Sequence, residues 1–80
     1  MENFRGLALA YEAMKQGGSM PTVFNAANEQ AVGAFLEGRL SFLGITDRIE
    51  AAMQAHKTIQ NPDVEEILET ERWARCQALQ

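Results

Sequence analysis

Residues 21–38 read PTVFNAANEQAVGAFLEG, the longest and most apolar helical stretch of the chain. Pro21 suits the first turn of a helix, because its missing N–H is one that a helix start leaves unpaired anyway. Val23, Phe24, Ala26, Ala27, Ala31, Val32, Ala34, Phe35 and Leu36 then cover most of the helical circumference. A helix apolar nearly all round is packed on several sides, so this segment, running to Gly38, is expected to be the central helix of an all-α domain. Asn25, Asn28 and Glu29 interrupt it at i, i+3 and i+4, which gathers them into a polar cluster. Such a cluster suits a ligand site or a polar seam between helices. The surrounding apolar surface favours the seam, with at least one asparagine amide buried and bonded to backbone of a connection or helix end.

Upstream, Phe4, Leu7, Ala8, Tyr11 and Met14 recur at helical spacing, and Gly17-Gly18 ends the run, predicting a first helix over about residues 4–16. Ser19 offers a capping hydroxyl to the helix that follows. Downstream, RLSFLGI is expected to connect, with Phe42 and Leu43 packing under the bundle. Ile45, Ile49, Ala52, Met53 and His56 mark the stripe of a third helix, capped by Ser41 or Thr46. Pro62 disfavours helix at Asn61 and suits the first turn of a fourth segment, whose stripe is Val64, Ile67 and Leu68. The phase slips near Thr70. That residue is expected to cap a last helix carrying Trp73, Cys76 and Leu79 on one side. No segment alternates with period two over more than four residues, so residues 1–80 are expected to form one four-helix bundle with short connections.

Eighty residues support only a thin core, and hydrophobic residues at 46% with charged residues at 22% are a normal globular mix. The net charge of -4, with Arg39, Arg48, Lys57, Arg72 and Arg75 scattered, argues against a nucleic-acid face. No apolar stretch is long enough to span a bilayer, and the N-terminal stretch lacks the basic region and cleavage site of a secretion signal. A reducing, cytoplasmic setting is expected. Cys76 is the single cysteine, so no internal disulfide forms.

The residues that carry chemistry are few. His56 is the lone histidine and is expected at the end of the third helix, where a partly positive imidazole suits the helix dipole. Glu65, Glu66, Glu69 and Glu71 have no histidine or aspartate at ligand spacing and read as a solvated face. Gly17-Gly18 lacks the preceding strand and following Lys-Ser or Lys-Thr of a phosphate loop. Trp73 reads as a plug at the bundle's end or an interface anchor, and Met14, Met20 and Met53 as core fillers.

Three stretches, LALAYEAMKQGG, PTVFNAANEQAVGAFLEGRLSFLGI and VEEILETERWAR, taken in order, resemble the C-terminal helical domain of the 1-deoxy-D-xylulose 5-phosphate reductoisomerase family. The resemblance covers nearly the whole chain and is most specific at Asn25-Ala26-Ala27-Asn28-Glu29 with the apolar spacing after it. Glu71 stands where an aspartate is usual, and Gly44 departs likewise. The resemblance implies a larger cytoplasmic oxidoreductase of non-mevalonate isoprenoid biosynthesis, forming 2-C-methyl-D-erythritol 4-phosphate with NADPH and a divalent metal, Mg or Mn. It implies catalytic and NADPH-binding domains ahead of this segment, in a homodimer. No catalytic, cofactor-binding or metal residue is carried over to this chain, which is expected to be inactive alone. The other reading is a free-standing helical module for protein interaction.

Overall fold

The computed structural model describes the backbone of residues 2–78 and the side chains of residues 5–78. Four helices follow one another: α1 (Glu2–Gln16), α2 (Met20–Leu36), α3 (Phe42–Ala55) and α4 (Val64–Ala78). α2 packs against each of the other three, as its nearly continuous apolar surface requires, whereas α1 and α4 flank it without touching each other among the described residues.

Local chemistry sets the ends. Gly38 takes a left-handed φ of 79°, its N–H bonds Phe35 O at 3.0 Å, and Arg39 N–H bonds Ala34 O at 2.9 Å. This is the Schellman arrangement that satisfies the last carbonyls of α2. Ser41, not Thr46, caps α3, its hydroxyl accepting from Gly44 N–H at 3.1 Å. Gly44 itself is buried under Leu40, whose Cδ1 lies 2.7 Å from where a Cβ would stand, so the glycine lets that leucine fold over the helix start. Asp63 accepts from Glu66 N–H at 2.8 Å while Glu66 accepts from Asp63 N–H at 3.0 Å. That reciprocal box starts α4 two residues later than Pro62 suggests. At the far end, Arg48 donates to Ala78 O at 3.2 Å, a cation on the negative end of a helix.

The core is built of small residues. Ala13, Ala26, Ala27, Ala52, Ala74 and Ala78 are buried with Met20, Val23, Ile49 and Met53. Alanines at the crossings let helices approach closely, since interaxial distance follows the side chains at the contact. The structure therefore corrects several sequence expectations. Leu7, Ala8, Tyr11 and Met14 face solvent, and α1 turns Leu9 and Ala13 inward instead. Phe42 and Leu43 lie within α3 and are more than half exposed. The helix does not restart at Thr70: α4 is continuous, Thr70 is buried within it, and Val64 and Leu68 point outward, Ile67 borders the groove against α2, and Ala74 and Ala78 point in. What reads as a slip in phase is one helix whose inner face is small. Cys76 is exposed while Trp73 packs on the core, so the two do not share a buried side. The Phe4 side chain and Leu79, also expected on these stripes, lie outside the described residues.

The longest connection, residues 56–63, is tied to the α1–α2 turn. Ser19 N–H donates to Ile59 O at 3.0 Å, and Ile59 N–H donates back to Ser19 Oγ at 2.8 Å. Ser19 is wholly buried, and its hydroxyl does not cap α2. It lies 2.7 Å from His56 Nε2. With Ile59 already donating to Oγ, every group is satisfied when the hydroxyl proton goes to a neutral imidazole. Burial pushes His56 below its ordinary value, in the direction opposite to the partial positive charge that the end of α3 would favour. Beside the serine, Gly18 has a φ of 54°, and a Cβ there would stand 2.3 Å from Ile59 O. Only glycine fits.

Three outcomes follow for urea unfolding. Ser19→Ala leaves the Ile59 N–H buried and unpaired and is expected to cost about 1–3 kcal/mol. Gly18→Ala is expected to cost more than the roughly 1–2 kcal/mol of a left-handed backbone alone, because the close carbonyl must also move. The folded chain holds His56 neutral more firmly than the unfolded chain does. Its contribution is thus full above the ordinary value of 6.5 and is lost as pH falls below it. The urea midpoint should drop between about pH 7.5 and about pH 5.5, and less so in His56→Gln.

Candidate functional site

The α2 polar cluster divides in the folded chain. Asn25 and Glu29, one turn apart, open on the groove between α2 and α4, a cavity of about 260 Å³ that Thr22, Ile67, Glu71 and Arg75 also line. Asn28 stands about 100° away from Glu29 around the helix, as adjacent residues must. It faces the groove among α1, α2 and α3, of about 340 Å³, with Gly6, Leu7, Phe24, Phe42, Ile45, Thr46 and Ile49.

Glu29 is an ion-pair partner. Arg75 reaches it at 2.6 Å and Glu71 at 2.9 Å, so the guanidinium clamps α2 to its own helix. The hydrogen bond to Glu71, then that to Glu29, raises the Arg75 pKa above its ordinary value. Asn25 is exposed and Asn28 half-buried, and neither amide has a hydrogen-bond partner among the described residues. The expected buried amide seam is therefore absent there, and the tie it was expected to make is made by Ser19. The expectation failed because α2 exposes a polar edge between its two neighbours, which circumference alone does not reveal.

A second clamp joins α1 to α3. Arg5 donates to Asp47 at 2.7 Å and to Thr46 Oγ1 at 3.1 Å, and it also pairs with Glu50. Those bonds, Glu50 first, raise its pKa above the ordinary value. Sequence reading missed this clamp because its partners are more than forty positions apart, at separations of 41 to 45.

Catalysis needs a nucleophile, a base and room for substrate. Ser19 and His56 supply the first two at 2.7 Å, but the serine is wholly buried and its oxygen is held by Ile59 N–H. Substrate has no path to it, and the pair acts as a tether. His56 rests instead on Trp73, ring centroids 5.2 Å apart. The acidic run disperses: Glu66 completes the α4 cap, Glu71 pairs with Arg75, and Glu65 and Glu69 face solvent. Among the described residues no three His, Cys, Asp or Glu side chains gather at metal-binding distance. Met20 and Met53 fill the core as expected, whereas Met14 is exposed. No described helix is long and apolar enough to cross a membrane.

Since both amides lack partners, Asn25→Ala and Asn28→Ala are expected to unfold in urea within about 0.5 kcal/mol of the parent, the range of surface substitutions. A loss above about 1 kcal/mol in either would restore the buried-seam reading.

Known proteins share this sequence pattern. The model of the DXP reductoisomerase C-terminal domain matches residues 1–77. The 1-deoxy-D-xylulose 5-phosphate reductoisomerase of Exiguobacterium sibiricum is 57% identical over 94% of this chain. Those of Halalkalibacterium halodurans and Bacillus cereus are 55% identical over 95% and 57% identical over 92%. The chain spans 20% of the length of each of these relatives. No solved structure matches it significantly. A match over almost every residue, in the order of the four helices just described, means that the chain belongs to the family of DXP reductoisomerase C-terminal domains.

Proposed function

We propose that this chain serves as the structural C-terminal domain of a 1-deoxy-D-xylulose 5-phosphate reductoisomerase, the NADPH- and divalent-metal-dependent enzyme that forms 2-C-methyl-D-erythritol 4-phosphate in non-mevalonate isoprenoid synthesis. The observation that carries the reading is the family match across residues 1–77, joined to relatives named for that enzyme. The role within it is structural because the charged and hydroxyl groups that make contacts between elements here hold those elements together. Arg5 and Arg75 clamp pairs of helices, and Ser19 ties a connection.

Neither the nucleotide nor the metal fits the described residues. The turn at Gly17-Gly18, where a phosphate would sit before a helix, is occupied by the Ile59 carbonyl, and Pro21 brings no N–H to that helix start. A metal finds no cluster of donors, since Glu29 and Glu71 are both engaged by Arg75. Catalytic and NADPH-binding domains ahead of this segment would supply those groups, in a homodimeric cytoplasmic enzyme. The unpaired Cys76 suits such a reducing compartment.

The test is a chimera in which this chain replaces the matching fifth of the Exiguobacterium sibiricum relative. Turnover of 1-deoxy-D-xylulose 5-phosphate, followed by NADPH oxidation with Mg²⁺ or Mn²⁺, is expected within about tenfold of the relative, a change of about 1.4 kcal/mol in barrier. A folded, soluble chimera with no turnover would overturn the reading.

A further inference from the structure

The connection between α3 and α4 is anchored at one point. Between the end of α3 and the Asp63 cap, the backbone of residues 56–63 is joined to the α1–α2 turn by the two Ile59 bonds to Ser19. Beyond these, among the described residues, only the Thr58 hydroxyl reaches that turn, bonding Gln16 on the surface. No residue of the connection is buried, whereas Ala52 and Met53 before it and Thr70 and Ala74 after it are. A segment with little buried surface and a single anchor opens at lower cost than the packed helices around it.

That anchor includes a titratable ring. Ser19 Oγ accepts from Ile59 N–H and donates to His56 Nε2 at 2.7 Å, so the neutral ring completes the bonds of a wholly buried hydroxyl. A proton taken from solvent onto Nε2 turns this acceptor into a donor. Two N–H groups then face one buried oxygen, and the hydroxyl's own proton loses its acceptor. We infer that Ser19 and His56 form a proton-operated latch: with the ring neutral the connection is held to the α1–α2 turn, and protonation releases residues 56–63 while the four helices stay packed. The charged groups lining the groove beside the ring are Lys57 on the connection and Glu69 from α4, of opposite sign, and the α1–α2 turn brings it only the Ser19 hydroxyl. The end of α3 and the face of Trp73 favour a cation there, yet burial prevails and lowers the pKa of the ring. A proton shifts an equilibrium only by its differential affinity for the two states. Here the released, solvated ring takes it more readily than the latched one.

Amide hydrogen exchange of the chain, corrected for the intrinsic rate at each pH and repeated in low urea, tests the latch. The Ile59 amide is expected to exchange faster than those of Ala31 and Ala74, both wholly buried, and by an opening that urea leaves unchanged, the mark of a local event. Its opening constant should rise at least about fivefold from about pH 7.5 to about pH 5, the factor that corresponds to the lower bound for an unpaired buried donor. His56→Gln keeps a neutral acceptor that does not titrate, and in it the rise should vanish. An Ile59 amide that opens only together with Ala31 and Ala74, in one urea-dependent step, shows that the connection has no motion of its own and overturns the inference. So does an opening constant that is the same at both pH values, or one that rises as much in His56→Gln as in the parent chain.

Discussion

The exchange of hydrogen bonds between Ser19 and Ile59 is the constraint on which the arrangement of helices depends. α2 reaches α3 through residues 37–41, which a Schellman turn and a serine cap fix locally. α3 reaches α4 through residues 56–63, which have no such internal order before the Asp63 box. Ser19 gives this connection a fixed path by pairing with both backbone groups of Ile59, and Thr58 adds a bond to Gln16 at 2.9 Å. With the path fixed, α4 meets α2 in one register, and Ala74 and Ala78 enter the core. Gly18 is part of the same device, since any side chain there would push the Ile59 carbonyl away.

Such a tie matters more here than in a larger domain. Burial of an alanine removes little apolar area from water, and the gain scales with that area. A core in which alanines predominate therefore stabilises weakly, and a short chain has no second core to add. Each buried hydrogen bond contributes about 1 kcal/mol net but costs up to about 3 kcal/mol when one partner is removed. Ser19 sits at that asymmetric point. The His56 imidazole extends it to a titratable group, its pKa lowered by burial, that rests on Trp73 and faces the serine.

The helix stops were legible because their causes are local. Gly17-Gly18, Gly38 and Ser41 each act within a few residues, and the α3 stripe of Ile49, Ala52 and Met53 is buried as its spacing implies. Asp63 with Glu66 was equally local and readable as a capping box, yet Pro62 drew the boundary to itself. The faces of α1 and α4 were not legible. Periodicity reports that one side of a helix is apolar, but it cannot report whether the partner belongs to the same chain. Alanine, which reads as neutral filler, takes the inner face wherever two backbones pack closely. The division of Asn25, Asn28 and Glu29 between two grooves was hidden for a related reason: it depends on where α1 and α4 stand beside α2, a long-range fact. The resemblance to the reductoisomerase family was nevertheless visible, because it rests on the order of residues and not on which way they face.

The alanine core and the outward stripe of α1 have a common physical origin. A chain of this length has only a few large apolar side chains to place, and Leu7, Tyr11 and Met14 are spent outside. Turning them inward would separate α1 from α2 by the width of a leucine or tyrosine. It would also carry Arg5 out of reach of Thr46, Asp47 and Glu50, losing the clamp that sets α1 against α3. The outward placement costs hydrophobic gain in this domain. The close α1–α2 approach and the Arg5 clamp are what that cost secures, so the alanines and the Ser19 tie, not the large apolar side chains, set the shape of the bundle.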